Sequence, residues 1–132
     1  MTVDEHIAAA YAHDSAGRER DAIVHYDAAA RLGVPDGERR RFTVGYGSTL
    51  RNVGRADEAV ALLAQAVTDD PHYPPFAAFL ALALADAGHP RAALATMLGC
   101  ALDAARPGAF DRFDRALGEY HDVLLASDAN GH

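Results

Sequence analysis

The sequence predicts an all-α protein built from three helix–turn–helix units and one closing helix. One short pattern recurs three times, as Ala16-Gly17-Arg18-Glu19-Arg20-Asp21-Ala22-Ile23, Val53-Gly54-Arg55-Ala56-Asp57-Glu58-Ala59-Val60 and Ala87-Gly88-His89-Pro90-Arg91-Ala92-Ala93-Leu94. Its glycines are 37 and then 34 residues apart, a period typical of stacked helical repeats. Apolar residues follow helical spacing before and after each glycine, and no stretch shows the alternation of a strand.

Thr2 with Glu5 three residues later is a capping box that starts the first helix near Val3. Gly17, Gly54 and Gly88 stand where a helix end calls for positive φ. The first unit covers about 3–36 and ends at Gly33-Val34-Pro35-Asp36-Gly37, whose three extra residues account for the longer first interval. In the second unit, about 37–71, Thr43, Tyr46, Gly47 and Leu50 mark the core side of one helix. Ala59, Leu62, Leu63 and Ala66 mark that of the next, and Asp70-Pro71 breaks the chain. The third unit, about 72–105, opens on Phe76–Ala85, ten apolar residues in a row. Pro90 begins its second helix, where the missing N–H is not needed. After Arg106-Pro107-Gly108, a closing helix over about 108–126 carries Phe110, Phe113, Leu117, Tyr120 and Leu124 on one stripe, which covers the last unit. Residues 127–132, with Asn130, Gly131 and His132, read as a frayed tail, and 1–132 as a single domain.

Composition narrows the function classes. A chain of 132 residues with 50% hydrophobic content is one domain with enough apolar surface for a core. A net charge of −7, with all 12 basic residues arginine, argues against nucleic-acid binding, which needs clustered cations. No apolar run approaches the ~20 residues of a membrane helix, and the acidic N-terminus lacks a signal-peptide layout. The lone Cys100 fits a reducing, cytoplasmic setting.

These residues resemble the tetratricopeptide repeat, a 34-residue helix pair with large–small apolar positions and a trailing Pro. Tyr46-Gly47, Leu50, Gly54, Ala59, Leu63, Ala66 and Pro71 carry the likeness in unit two. Ala9-Ala10, Gly17, Ala22, Tyr26, Ala29 and a displaced Pro35 carry it in unit one, and Leu80-Ala81, Leu84, Gly88, Ala93 and Met97 in unit three. The chain departs from the pattern in having no Trp and in placing His6 and His13 where aromatic or apolar residues are usual. As a whole it is similar to short bacterial three-repeat proteins of this family, a group without an assigned activity. The resemblance implies a right-handed superhelix and a non-catalytic module that binds a protein or peptide in its concave groove. It also implies what is missing. The carboxylate clamp of chaperone-adaptor members would fall on Ile7, Tyr11, Gly45, Pro75 and Phe79, which cannot form it.

The groove is lined by the first helix of each pair. Opposite the core side of the second unit's first helix stand Arg41, Val44, Ser48, Arg51 and Asn52. Equivalent positions are Ile7 and Tyr11 in the first unit, and Ala78 and Leu82 in the third. The expected site therefore has Arg41 and Arg51 gripping a carboxylate of the partner, with Asn52 beside them. Ser48 and Tyr11 add hydrogen bonds, and Ile7, Ala78 and Leu82 form an apolar wall. The rival reading is a self-assembling homo-oligomer that uses the apolar third-unit helix and the closing helix. No cofactor is expected. Seven histidines invite a metal hypothesis, yet none shows the spacing of a zinc site, and His6 and His13 read as hydrogen-bonded structural residues. Cys100 reads as a buried packing residue, and Arg39-Arg40-Arg41 as a solvated helix start from which only Arg41 reaches the groove.

Overall fold

The computed structural model describes residues 1–129, so the tail residues Asn130, Gly131 and His132 lie outside it. Seven α-helices and no strand occur among the described residues: α1 (Val3–Ser15), α2 (Glu19–Leu32), α3 (Arg39–Asn52), α4 (Ala56–Asp69), α5 (Pro74–Asp86), α6 (Pro90–Ala104) and α7 (Asp114–Ala129). A 3₁₀ turn, Asp36–Glu38, precedes α3. The capping box forms: Glu5 N–H donates to Thr2 Oγ1 at 3.2 Å, and Thr2 N–H to Glu5 Oε1 at 3.0 Å. Gly17, Gly54 and Gly88 close α1, α3 and α5 at φ of 76°, 86° and 91°, a region other residues enter at a cost. Pro74 and Pro90 open α5 and α6 at positions whose N–H would have no partner in the helix.

Successive helices pack as antiparallel neighbours, α1 on α2, α3 on α4 and α5 on α6. The first helices of the pairs also touch, α3 lying against α1 and against α5, whereas α2, α4 and α6 do not meet one another. The core runs through this stack, with Tyr26, Leu50, Leu63 and Phe76 filling its interior. Ile7 belongs to it at 5% exposure. It faces the seam of α1 with its neighbours, so it is a core residue and not part of a groove wall. The all-round apolar α5 buries Phe76, Leu80, Ala81 and Ala83 and leaves Leu82 40% exposed.

The C-terminal end departs from expectation. Residues 106–113 form three overlapping turns, closed by Ala109 N–H to Arg106 O, Asp111 N–H to Gly108 O and Phe113 N–H to Phe110 O, all at 3.0 Å, with Asp111 at φ 57°. The last helix therefore begins at Asp114 instead of near 108. It packs on α6 alone, through the half-buried Leu117, His121 and Leu124. Phe113 and Tyr120 of the expected stripe stand 53% and 64% exposed. Cys100 is half-buried, not buried, and its thiol lies 3.5 Å from Pro74 O.

Candidate functional site

Contact between α1 and α3 brings two of the expected groove residues together. The Arg41 guanidinium carbon sits 4.0 Å from the Tyr11 ring centroid, a cation–π arrangement that orients both groups. Tyr11 Oη donates to Glu38 Oε2 at 3.0 Å. Burial, and then the Glu38 carboxylate, push the phenol up to about 12, so it stays a donor across the physiological range. With Asp14, Ser15, Val44 and Gly45 these residues line an open cleft of ≈ 210 Å³. Its floor is Tyr26, which is 1% exposed and donates to Asp14 Oδ2 at 2.7 Å. Burial and that carboxylate raise the Tyr26 hydroxyl far above the usual phenol range. Tyr46 stacks on Tyr26 at 5.6 Å between centroids, which stiffens the floor.

Arg51 lies elsewhere. Ten positions along α3 separate it from Arg41, about 15 Å at 1.5 Å per residue, so the two guanidiniums cannot hold one carboxylate. Arg51 Nη1 instead donates to Asp86 Oδ2 at 3.0 Å, tying the end of α3 to the end of α5. Its Nε is buried without a partner. Ser48 is half-buried and Asn52 exposed, and neither side chain makes a hydrogen bond among the described residues. Ala78 is half-buried on α5, one turn before Leu82. The expected set thus divides into a Tyr11–Arg41 corner, a polar pair on α3 and an apolar pair on α5.

The other arginines of the central units are occupied. Arg40 is exposed, as expected of the helix start, but it also holds Asp70 through two bonds of 2.8 and 3.1 Å and lies 4.3 Å over the Tyr73 ring. Arg55 donates to Asp27 at 2.9 and 3.3 Å and to Glu58, and Tyr46 Oη also donates to Asp27. Burial pushes the Asp27 carboxyl up, but the bonds from Arg55 and Tyr46 outweigh it and hold the group below the usual carboxylate range. These acid partners carry no motif of their own. The signal available in the sequence was opposite charge about one repeat apart, at 28, 30 and 35 residues. Exposed Arg41 has no carboxylate within ion-pair distance among the described residues.

His6 and His13 are half-buried and hydrogen-bonded, to His25 and Arg18 respectively. No three His, Cys, Asp or Glu side chains converge as metal ligands among the described residues, and no helix there is long and apolar enough to cross a membrane.

A comparison with known proteins agrees with this architecture. The family model described as tetratrico peptide repeat matches residues 5–124. No curated protein and no solved structure matches the chain. Paired helices keyed by the recurring glycines, matched by the repeat model from α1 into α7, place this chain in the tetratricopeptide repeat family, whose helical scaffolds serve protein–protein interaction.

Proposed function

We infer that the chain is a non-catalytic interaction module whose recognition point is the Tyr11–Arg41 corner. First helices that touch while second helices do not make the α1–α3–α5 side the shorter, inner side of the stack, which is the concave face of the right-handed superhelix expected for this family. One observation carries the reading. Arg41 is exposed beside a cleft, oriented by Tyr11 and free of an acid partner, whereas Arg40, Arg51 and Arg55 are all paired within the chain. Such a cation is available for an acidic group on a peptide or partner protein. Ser48 and Asn52 offer further hydrogen bonds along α3, and Ala78 with Leu82 offers apolar contact.

The test is capture from a lysate of the native organism with wild type and with Arg41→Ala and Asn52→Ala as separate variants, followed by titration calorimetry with the captured segment. The substitutions leave every ion pair of the stack intact, so helicity and melting temperature are expected to hold. Binding at least tenfold weaker in Arg41→Ala supports the corner as the recognition point. Equal binding moves the site elsewhere.

A homo-oligomer is the second reading, favoured by α7. That helix keeps Tyr120 and Val123 64% and 60% exposed, and exposed Leu94 and Met97 lie on α6, against which it packs. Sedimentation equilibrium decides it, because a monomer at high concentration eliminates this reading.

A further inference from the structure

The imidazoles of His6, His13 and His25 form a column between α1 and α2. His25 is the middle ring, parallel to His13 within 10° at a centroid distance of 5.7 Å and 5.3 Å from His6. The Nδ1 atoms of His6 and His25 are 3.0 Å apart, so one carries a proton and the other accepts it. Two imidazolium rings would set N–H against N–H there. At the other end, Arg18 Nε donates to His13 Nδ1 at 2.9 Å, which requires His13 to be neutral. The column as built therefore holds at most one imidazolium among its three rings. No three-ligand metal cluster occurs among the described residues, so the column is not a metal site.

We propose that this column is a proton-operated catch, which fastens α1 to α2 when neutral and loosens it when protonated. The surrounding charges do not compensate. On α1, Glu5 interacts with His6 at the far end. The turn supplies the cation Arg18. Among the described residues, Asp21 of α2 is the carboxylate that bears on His25. From α3, the other helix packed on α1 and α2, Arg41 is directed to Tyr11 and Tyr46 to Asp27. Burial, and then the charges of His6 and His13, hold His25 below the ordinary imidazole value against the pull of Asp21.

The sign follows by linkage. An unfolded histidine titrates near ~6.5, so the unfolded chain takes up its proton first as pH falls. The stability held in the column is complete above about pH 6.5 and is lost as pH falls through the lower folded value of His25. Glu58 and Asp70, whose carboxyls are held low by arginine, lose theirs only below about pH 4.5, a separate window. Because α1 also carries Tyr11, acid would dismantle the Tyr11–Arg41 corner. That consequence rests on the binding reading above, whereas the catch does not.

The experiment is a histidine C2–H NMR titration of the whole chain, joined to amide hydrogen exchange at pH 7.5 and 5.5 corrected for the intrinsic rate. His25 is expected to titrate below the ordinary imidazole value of ~6.5. Protection of α1 amides should fall several-fold relative to α5 between the two pH values. His25→Gln, which keeps hydrogen-bonding groups but gains no charge, should remove most of that fall. The proposal is overturned if His25 titrates at or above ~6.5, if α1 and α5 lose protection equally, or if the variant behaves as wild type. Should His25→Gln not fold, the wild-type titration and regional exchange decide alone. Neither measurement involves a partner, so failure of the catch and failure of the binding reading are distinguishable.

Discussion

Gly45 and Gly47 stand two positions apart on α3 and admit two different neighbours. A Cβ on Gly45 would strike the Tyr26 hydroxyl, and one on Gly47 would lie 2.8 Å from Leu63 Cδ1. Gly47 belongs to a repeat pattern and is legible in the sequence with its partner in the same unit. The need for Gly45 is not, because it arises from a tyrosine on the preceding unit. Gly45→Ala is expected to cost about 1–3 kcal/mol, since the buried ring must turn and weaken its bond to Asp14. Urea unfolding measures it. In a Tyr26→Phe background, which has no hydroxyl to displace, the same substitution should cost clearly less. Equal costs in both backgrounds would show that the contact with the hydroxyl is not the cause.

Between helices, the clearest feature is the set of arginine ties, and their acid limits set a pH dependence. Asp27 has its folded carboxyl held below the unfolded value of ~3.9. Its contribution is present above that value and lost as pH falls through the folded one. Asp27→Asn should lower stability by about 1–2 kcal/mol at pH 7 and flatten the decline below pH 4, as followed by thermal melts across pH. The last helix behaves differently. With a single neighbouring helix, α7 should exchange its amides faster than α3, which contacts α1, α2, α4 and α5; comparable protection would contradict that. The expected start lies too early because the Phe110–Phe113–Leu117 spacing continues smoothly through a segment of consecutive turns. Pro107-Gly108 announces the first turn, but nothing in the sequence announces Asp111 at positive φ. Helix ends marked by glycine or proline were legible because they are local. Ion pairs between units depend on how the units stack, which no local pattern records.

At the scale of the molecule, every helix contact lies between near neighbours along the chain. Such an array folds from local contacts and opens from its ends. Native-state hydrogen exchange should therefore grade from the central α3 and α4 outward, with no single cooperative unit of uniform protection. One uniform opening energy across all helices would refute this. The same architecture explains why the candidate site was only partly legible. Tyr11 and Arg41 were found by helical phase and meet because α1 and α3 touch. Ile7 was lost to the core, and Arg51 to Asp86, by packing that phase alone cannot express.

The arginine ties also constrain how this array can evolve. Asp27 and Arg55 join the first pair to the second, and Arg51 and Asp86 join the second to the third. By the glycine register of 37 and 34 residues, the middle pair carries Ala64 where Asp27 stands in the first, and Asn52 where Asp86 stands in the third. A tandem duplication of the middle pair would set Arg55 against Ala64 and Arg51 against Asn52 at the new seam, so Arg55 would keep only Glu58 of its own unit and Arg51 would lose its acid partner. The middle pair therefore makes both ties only between these two particular neighbours. A copied pair regains both ties only with two acidic substitutions, one at each position.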